Sequence, residues 1–151
     1  MWEKHNQQLR VTGGLRDCSE QWALFSIGRK KDHGGDWIVE NPKKIVTYAR
    51  GGESFHNFGL ALDSAFMGDD PYLTKMPVKD AAILWNEYGA LCRENGLEWG
   101  GDWKGPKIDR PHCQRTYNLS LHTLQMIYEQ CGIKGVFEKC SQIMGCGREL
   151  V

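Results

Sequence analysis

The sequence has neither a long hydrophobic run nor an excess of charge of one sign. No apolar stretch approaches the roughly 20 residues that a transmembrane helix needs, so no membrane span is expected. The 151 residues carry 19 basic and 19 acidic side chains, which argues against general electrostatic capture of nucleic acid. Internal repeats and a Pro/Ser-rich linker are also lacking, and the length suits one domain. We therefore predict a single domain over residues 1–151.

The N-terminus lacks the features of a secretory signal peptide. Its first eight residues, MWEKHNQQ, are polar and contain no apolar segment. We therefore expect synthesis in the cytoplasm without a signal peptide.

The six cysteines lack the Cys-x-x-Cys spacing that is typical of zinc and redox motifs. They are also too few for a disulfide scaffold, so we predict free thiols in a reducing compartment. Two alternatives stay open at the C-terminal end of the chain. One is a disulfide between Cys140 and either Cys131 or Cys146, and the other is a zinc knuckle made of these three residues.

Glycine, by contrast, is abundant, and the acidic residues are concentrated in one segment. The 18 glycines exceed the usual share of about 7% and indicate many tight turns. Residues 51–110 contain ten acidic and six basic side chains, whereas residues 1–50 contain six acidic and nine basic ones. An acidic middle segment suits a cation site better than a phosphate site.

The hydrophobic pattern predicts helices and short strands in no βαβ rhythm. Asp17 and Glu20 form a capping-box pattern that opens a helix ending at Gly28. The other predicted elements are strands at 9–12, 45–50, 58–66 and 97–99, a long loop at 29–46, and helices at 79–95 and from Ser120 to Gly132. This pattern predicts an α+β fold with a small antiparallel sheet and flanking helices.

Two histidines lie in segments that resemble parts of a metal site. His56 precedes Asp63 by seven residues, with Gly59 between them to bend the backbone. His112 follows Asp109 and the stiff Pro111, and it can supply a third ligand from another strand. A hydrolytic zinc needs three such ligands, an open position and a nearby carboxylate. His-x6-Asp is common by chance, so ordinary surface or core histidines stay an alternative.

Three ordered motifs resemble the zinc peptidases of bacterial cell walls. They are Ser54–Asp63 (S-x-H-x-x-G-x-A-x-D), Glu98–Trp103 (EWGGDW) and Asp109–His112 (D-x-P-H). The family comprises D-alanyl-D-alanine carboxypeptidases and L-alanyl-D-glutamate endopeptidases, and the chain is most similar to the phage endolysins of the second type. Upstream, Val11–Arg16 (VTGGLR) matches the strand that precedes the family's arginine, so the resemblance covers nearly the whole chain.

The resemblance implies a role for each motif residue. His56, Asp63 and His112 would bind Zn²⁺, Asp109 would be the general base, and Arg16 would stabilise the oxyanion. Ser54 and Trp99 would contact substrate.

Each of these roles has a simpler alternative in the sequence. Arg16 can pair with Asp17 or Glu20, and Asp109 can cap a turn. Other candidates also compete for two of the roles: Glu98 and Asp102 for the general base, and Trp103 for the substrate contact. Cys113, beside His112, should point to the opposite face of its strand.

The resemblance also implies the fold and the function. The fold would be that of hedgehog domains and D-alanyl-D-alanine peptidases. The protein would be a zinc-dependent peptidoglycan hydrolase, endolysin-like, cutting the L-alanyl-D-glutamate bond of stem peptides. It would reach the cell wall after release through a holin or by lysis. Alternatives are a D-alanyl-D-alanine carboxypeptidase and a non-catalytic zinc-containing binding module; nothing in the sequence indicates an oligomeric state.

Overall fold

The computed structural model describes residues 7–146, except for the side chain of Cys146. Its helices and strands, in chain order, are β1 (Leu9–Gly13), α1 (Cys18–Ser26), β2 (Arg29–Lys31), β3 (Trp37–Val39), β4 (Ala61–Phe66), α2 (Val78–Glu94), β5 (Glu98–Trp99), β6 (His112–Gln114) and α3 (Leu121–Cys146). The predicted α+β class is confirmed. In residues 7–146, no helix combines the length and apolar character that a membrane crossing requires.

The described residues form two compact units. The first comprises residues 7–14 and 60–116, and the second comprises residues 15–59 and 117–146. The organisation as one catalytic domain over 1–151 stays a prediction.

The first unit contains a four-stranded antiparallel sheet in the order β1-β4-β6-β5. Its hydrophobic core lies on one face of this sheet and against α2. The core side chains are Phe66, Leu73, Leu84, Trp85, Tyr88, Cys92, Trp99 and Cys113. Gly89 lets α2 approach closely, because a Cβ atom there would lie 2.2 Å from the Trp99 ring. The apolar residues that recur at helical spacing in α2 include those that are buried, namely Leu84, Trp85, Tyr88 and Cys92.

The second unit contains α1, the hairpin β2–β3 and α3. The predicted capping box is present at α1: Glu20 N–H donates to the Asp17 carboxylate, and Asp17 N–H donates to Glu20, both at 2.8 Å. Helix α3 is interrupted where its sequence predicts a stop, since Gly132 has a φ of 64° and a ψ of −167°.

Two predicted elements are wrong in this unit. Residues 29–46 are not one long loop but contain the β2–β3 hairpin, whose turn is closed by hydrogen bonds from Gly34 and Asp36 to the Asp32 carboxylate. Residues 45–50 form no strand. The hairpin escapes the hydrophobic pattern because its strands have three residues each, and Trp37 is its aromatic contact with Trp22 and Phe25.

Candidate metal centre

His56 lies in a 3-10 turn that its neighbours cap on both sides. The Ser54 hydroxyl accepts from His56 N–H at 3.3 Å, and the Asn57 side chain accepts from Ser54 N–H at 3.2 Å. Gly59 ends the turn with a φ of 68°, a left-handed conformation that glycine adopts without steric cost. The turn buries the imidazole, which is 3% exposed.

Asp63 lies on the middle of β4, and its neighbours leave room for a carboxylate. Gly13 is its partner on β1, and a Cβ atom at that position would lie 2.9 Å from Asp63 Oδ2. A larger residue than glycine would therefore crowd the carboxylate. On the other side, Asp63 is paired in register with His112 of β6.

Residues paired across an antiparallel sheet share a face, which explains the contact between Asp63 and His112. Asp63 Oδ1 lies 3.3 Å from His112 Nδ1. That separation matches the edge of a zinc tetrahedron with bonds of about 2.0–2.1 Å, roughly 3.3–3.5 Å. His112 Nε2 faces away from Asp63 and lies 3.0 Å from Gln114 Oε1.

The three predicted ligands lie together. His56, Asp63 and His112 each offer one ligand atom, and these atoms all lie within 4.8 Å of one another. Two imidazoles and one carboxylate form a donor set that suits a divalent transition metal, and three protein ligands leave a fourth position for water or substrate. The residues present therefore fit a catalytic metal ion.

Acidic neighbours act on His112. Burial lowers its pKa, but hydrogen bonds to Asp63 and Gln114 and the negative charges of Asp63 and Asp109 outweigh burial. The pKa of His112 is consequently raised above its ordinary value. A site that attracts a proton in this way also attracts a metal cation.

Asp109 is fixed by its backbone beside the strand that carries His112. Its N–H donates to the Gly100 carbonyl at 3.0 Å, and its carbonyl accepts from His112 N–H at 3.2 Å. Gly100 permits this approach, since a Cβ atom there would lie 2.3 Å from the Asp109 carbonyl oxygen. The carboxylate of Asp109 is close enough to influence His112, as its effect on the imidazole pKa indicates.

The rival carboxylates have other contacts. Asp102 forms an exposed ion pair with Arg93 at 2.8 Å. Glu98 accepts from the Gln114 amide at 3.1 Å and from the Thr116 hydroxyl at 3.3 Å. The role of Asp109 as the general base stays a prediction.

Arg16 is tied to the turn that carries His56. Its N–H donates to the His56 carbonyl at 3.0 Å, and its carbonyl accepts from the Asn57 amide. Its guanidinium donates to Gln21 Oε1 at 2.9 Å, and Gln21 is completely buried with its own amide bonded to the Ala49 carbonyl. Gln21 therefore holds the Arg16 side chain in place and is not a surface residue of α1.

The two predicted substrate residues differ in what they can offer. Ser54 caps the turn of His56 and keeps a hydroxyl hydrogen to donate. Trp99 is 4% exposed, belongs to the core and donates its indole N–H to the Arg110 carbonyl. This burial argues against direct substrate contact by Trp99. Trp103 is partly exposed, and its ring centroid lies 5.0 Å from that of His112.

Cys113 faces the core, as strand alternation predicts. It is 2% exposed and accepts a hydrogen bond from the Tyr88 hydroxyl at 3.4 Å. The other described cysteines are free as well: Cys18, Cys92, Cys131 and Cys140. The side chain of Cys146 lies outside the described residues, as does any disulfide or zinc knuckle that includes it.

Gln114, Asn57 and Gly13 are site residues that the sequence reasoning missed. The sequence could have indicated Gln114, because residues 112 and 114 share a face of any strand. Asn57 acts by hydrogen bonds with the backbone, and Gly13 acts as the cross-strand partner of Asp63. The sequence carries no comparable signal for either role.

Two comparisons with known proteins agree with this geometry. A family model described as D-alanyl-D-alanine carboxypeptidase matches residues 47–115, which include His56, Asp63, Asp109 and His112. The peptidoglycan L-alanyl-D-glutamate endopeptidase CwlK of Bacillus subtilis (strain 168) is 37% identical over 122 residues, 72% of this chain and 60% of CwlK. Both findings support the zinc peptidase family that the sequence resembles. It spans about 60% of the length of the curated relative it matches.

Proposed function

We propose that this protein is a zinc-dependent peptidoglycan endopeptidase that hydrolyses the L-alanyl-D-glutamate bond of stem peptides. The observation that carries the proposal is the group of His56, Asp63 and His112, in which both histidines are buried, with the charge of Asp109 acting on His112. Similarity to an L-alanyl-D-glutamate endopeptidase supports this choice of bond.

In the proposed mechanism, His56, Asp63 and His112 hold the zinc ion. Zinc would supply a Lewis acid for the scissile carbonyl and lower the pKa of the attacking water to about 7. Asp109 accepts the proton of that water and returns it to the leaving amine. Arg16, held by Gln21, stabilises the negative charge that develops on the carbonyl oxygen.

The substrate is the peptide stem of peptidoglycan. Ser54 donates its hydroxyl hydrogen to the stem peptide in this proposal. Trp103 replaces Trp99 as the aromatic side chain that contacts it, because Trp103 is partly exposed and lies next to His112. The place of action is the cell wall, reached after release from the cytoplasm in the manner of a phage endolysin.

A D-alanyl-D-alanine carboxypeptidase is the second candidate, because the matching family model carries that description. Mass spectrometry of muropeptides after digestion distinguishes the two. New N-terminal D-Glu or iso-Gln ends are expected for the endopeptidase, and released D-Ala would identify the carboxypeptidase. Asp109→Asn serves as the control for contaminating hydrolases. Zinc binding without any cleavage would instead identify a binding module.

A further inference from the structure

His112 is linked to two further side chains on its own face of the sheet. Gln114 follows it at the next position on that face, and Glu98 is the partner of Gln114 across β5 and β6. The linked atoms are His112 Nε2 and Gln114 Oε1 at 3.0 Å, then Gln114 Nε2 and Glu98 Oε2 at 3.1 Å. The other oxygen of Glu98 accepts from the Thr116 hydroxyl at 3.3 Å.

The chemistry of these groups determines the direction of each hydrogen bond. An ionised carboxylate only accepts, so Gln114 must turn its NH₂ group to Glu98 and its oxygen to His112. An amide oxygen also only accepts, so the imidazole donates its Nε2 hydrogen to Gln114. Nδ1 then lies on the side of Asp63, 3.3 Å from Oδ1, where it would give up its proton to a metal ion.

The imidazole and the amide are shielded from water, and the carboxylate is not. His112 is 6% exposed and Gln114 is 9% exposed, whereas Glu98 lies at the surface. Water therefore has little access to His112 Nε2. Gln114 carries the influence of that exposed carboxylate to the buried ring.

We propose that Glu98 and Gln114 are positioning residues that hold His112 with its Nε2–H on Gln114 and its Nδ1 directed to the metal ion. The proposal rests on the metal site of the proposed function, but it is independent of the bond that the protein cleaves. Hydrogen bonds of this kind around metal ligands change metal affinity by roughly 10–100-fold when they are removed.

The first test determines the tautomer of His112 in the zinc-bound protein without substrate. Long-range ¹H–¹⁵N NMR spectra identify the nitrogen that carries the hydrogen. The expected result is Nε2–H, hydrogen-bonded to Gln114. Nδ1–H in the zinc-bound wild type would overturn the proposal.

The second test measures the zinc dissociation constant by competition with a chromogenic chelator. Gln114→Leu should raise it by about 10–100-fold. A double variant that combines Glu98→Gln with Gln114→Glu exchanges the two groups while preserving total charge. The carboxylate now at position 114 again accepts from His112, and the amide now at position 98 donates to that carboxylate. Most of the lost affinity should return in this double variant, whereas a purely structural role for the pair predicts no such rescue.

Leu84→Ala is the matched control, because it removes a buried core side chain of the same unit but no hydrogen-bonding group. It should lower the melting temperature and leave zinc affinity unchanged. Wild-type zinc affinity in Gln114→Leu would overturn the proposal. Zinc binding that depends on Gln114, without any muropeptide cleavage, would instead reject the proposed function and leave the positioning role intact. Absence of zinc binding in the wild type would overturn both the proposed function and this proposal.

Discussion

His56 and His112 are equally buried, but the chain holds them by different means. His56 is fixed by a turn whose partners, Ser54 and Asn57, are its immediate neighbours in sequence. His112 is fixed by side chains from other strands, Asp63 directly and Glu98 through Gln114. One ligand thus depends on local backbone conformation, and the other depends on sheet register and a chain of hydrogen bonds.

This difference predicts how each half of the site fails. A change that disturbs the backbone near Gly59 should displace His56 and leave His112 in place. A change of one polar side chain on β5 or β6 should alter His112 without unfolding the turn. Direct removal of either imidazole should have the same effect, because a metal ion needs both.

The largest expected effect is therefore loss of the metal. His56→Ala and His112→Ala should each abolish zinc binding and muropeptide cleavage, since the remaining two ligands do not make a catalytic site. Zinc should also no longer stabilise these variants. In the wild type that stabilisation is about 2.7 kcal/mol at a zinc concentration 100 times the dissociation constant. Metal analysis and thermal unfolding with and without zinc test this expectation.

His122→Ala is the control for this pair, because His122 is an exposed histidine on α3. It should retain both zinc and activity. Full zinc occupancy in either His56→Ala or His112→Ala would show that the group of three is not the metal site.

The second effect separates the base from the ligands. Asp109→Asn keeps the size of the side chain but cannot accept a proton, so turnover should fall by roughly 10²–10⁴-fold. Zinc should stay bound. Glu98→Gln should cost less, because Glu98 acts on His112 through Gln114. Metal content and muropeptide cleavage are measured on the same preparations. Zinc loss in Asp109→Asn would make Asp109 a ligand, and an inactive Glu98→Gln beside an active Asp109→Asn would make Glu98 the base.

A smaller effect isolates the turn of His56. Gly59→Ala places a side chain in the left-handed region, which costs about 1–2 kcal/mol of unfolding free energy. Its Cβ atom would also lie 2.9 Å from Phe137, whose half-exposed ring can move. Gly105→Ala is the control: its φ is 62°, and nothing lies within 4 Å of the added Cβ. Urea denaturation should show a loss in both variants, but zinc affinity should fall in Gly59→Ala alone. Equal zinc affinity in both would show that the turn does not orient His56.

The comparison also explains how much of the site the sequence predicts. The turn around His56 is visible there, because Ser54 and Gly59 perform their roles at fixed short spacing from the histidine. Asp17 and Glu20 are visible for the same reason. The family resemblance adds Asp109 and Arg16, whose roles no local pattern reveals.

What the sequence does not predict depends on contacts between distant residues. The contact of His112 Nε2 depends on the position of Gln114 opposite Glu98, and this pairing exists only once β5 and β6 are in register. Trp99 is a second example, because its burial depends on Gly89 of α2, which leaves room for the ring. The β2–β3 hairpin was missed because three-residue strands carry almost no periodicity.

The smallest expected effect concerns a turn that is capped by a charge. The Asp70 carboxylate accepts hydrogen bonds from Lys75 N–H at 2.7 Å and from Thr74 N–H at 2.9 Å. The bond from Lys75 is the main reason that the pKa of Asp70 is lowered from 3.8. A carboxylate with a lowered pKa stabilises the fold above its unfolded-state pKa, and this contribution disappears as the pH falls through the folded-state value. The turn of His56 is capped by the neutral Ser54 and Asn57 side chains, so the same change in pH should leave that cap intact.

The difference in unfolding free energy between wild type and Asp70→Asn should therefore be present at pH 7 and shrink below about pH 4. Urea denaturation of the metal-free protein across this range measures it. Asp69→Asn removes the same charge one residue away from these hydrogen bonds and should show a smaller dependence. If Asp70→Asn and Asp69→Asn respond alike, general charge rather than the cap accounts for the pH effect.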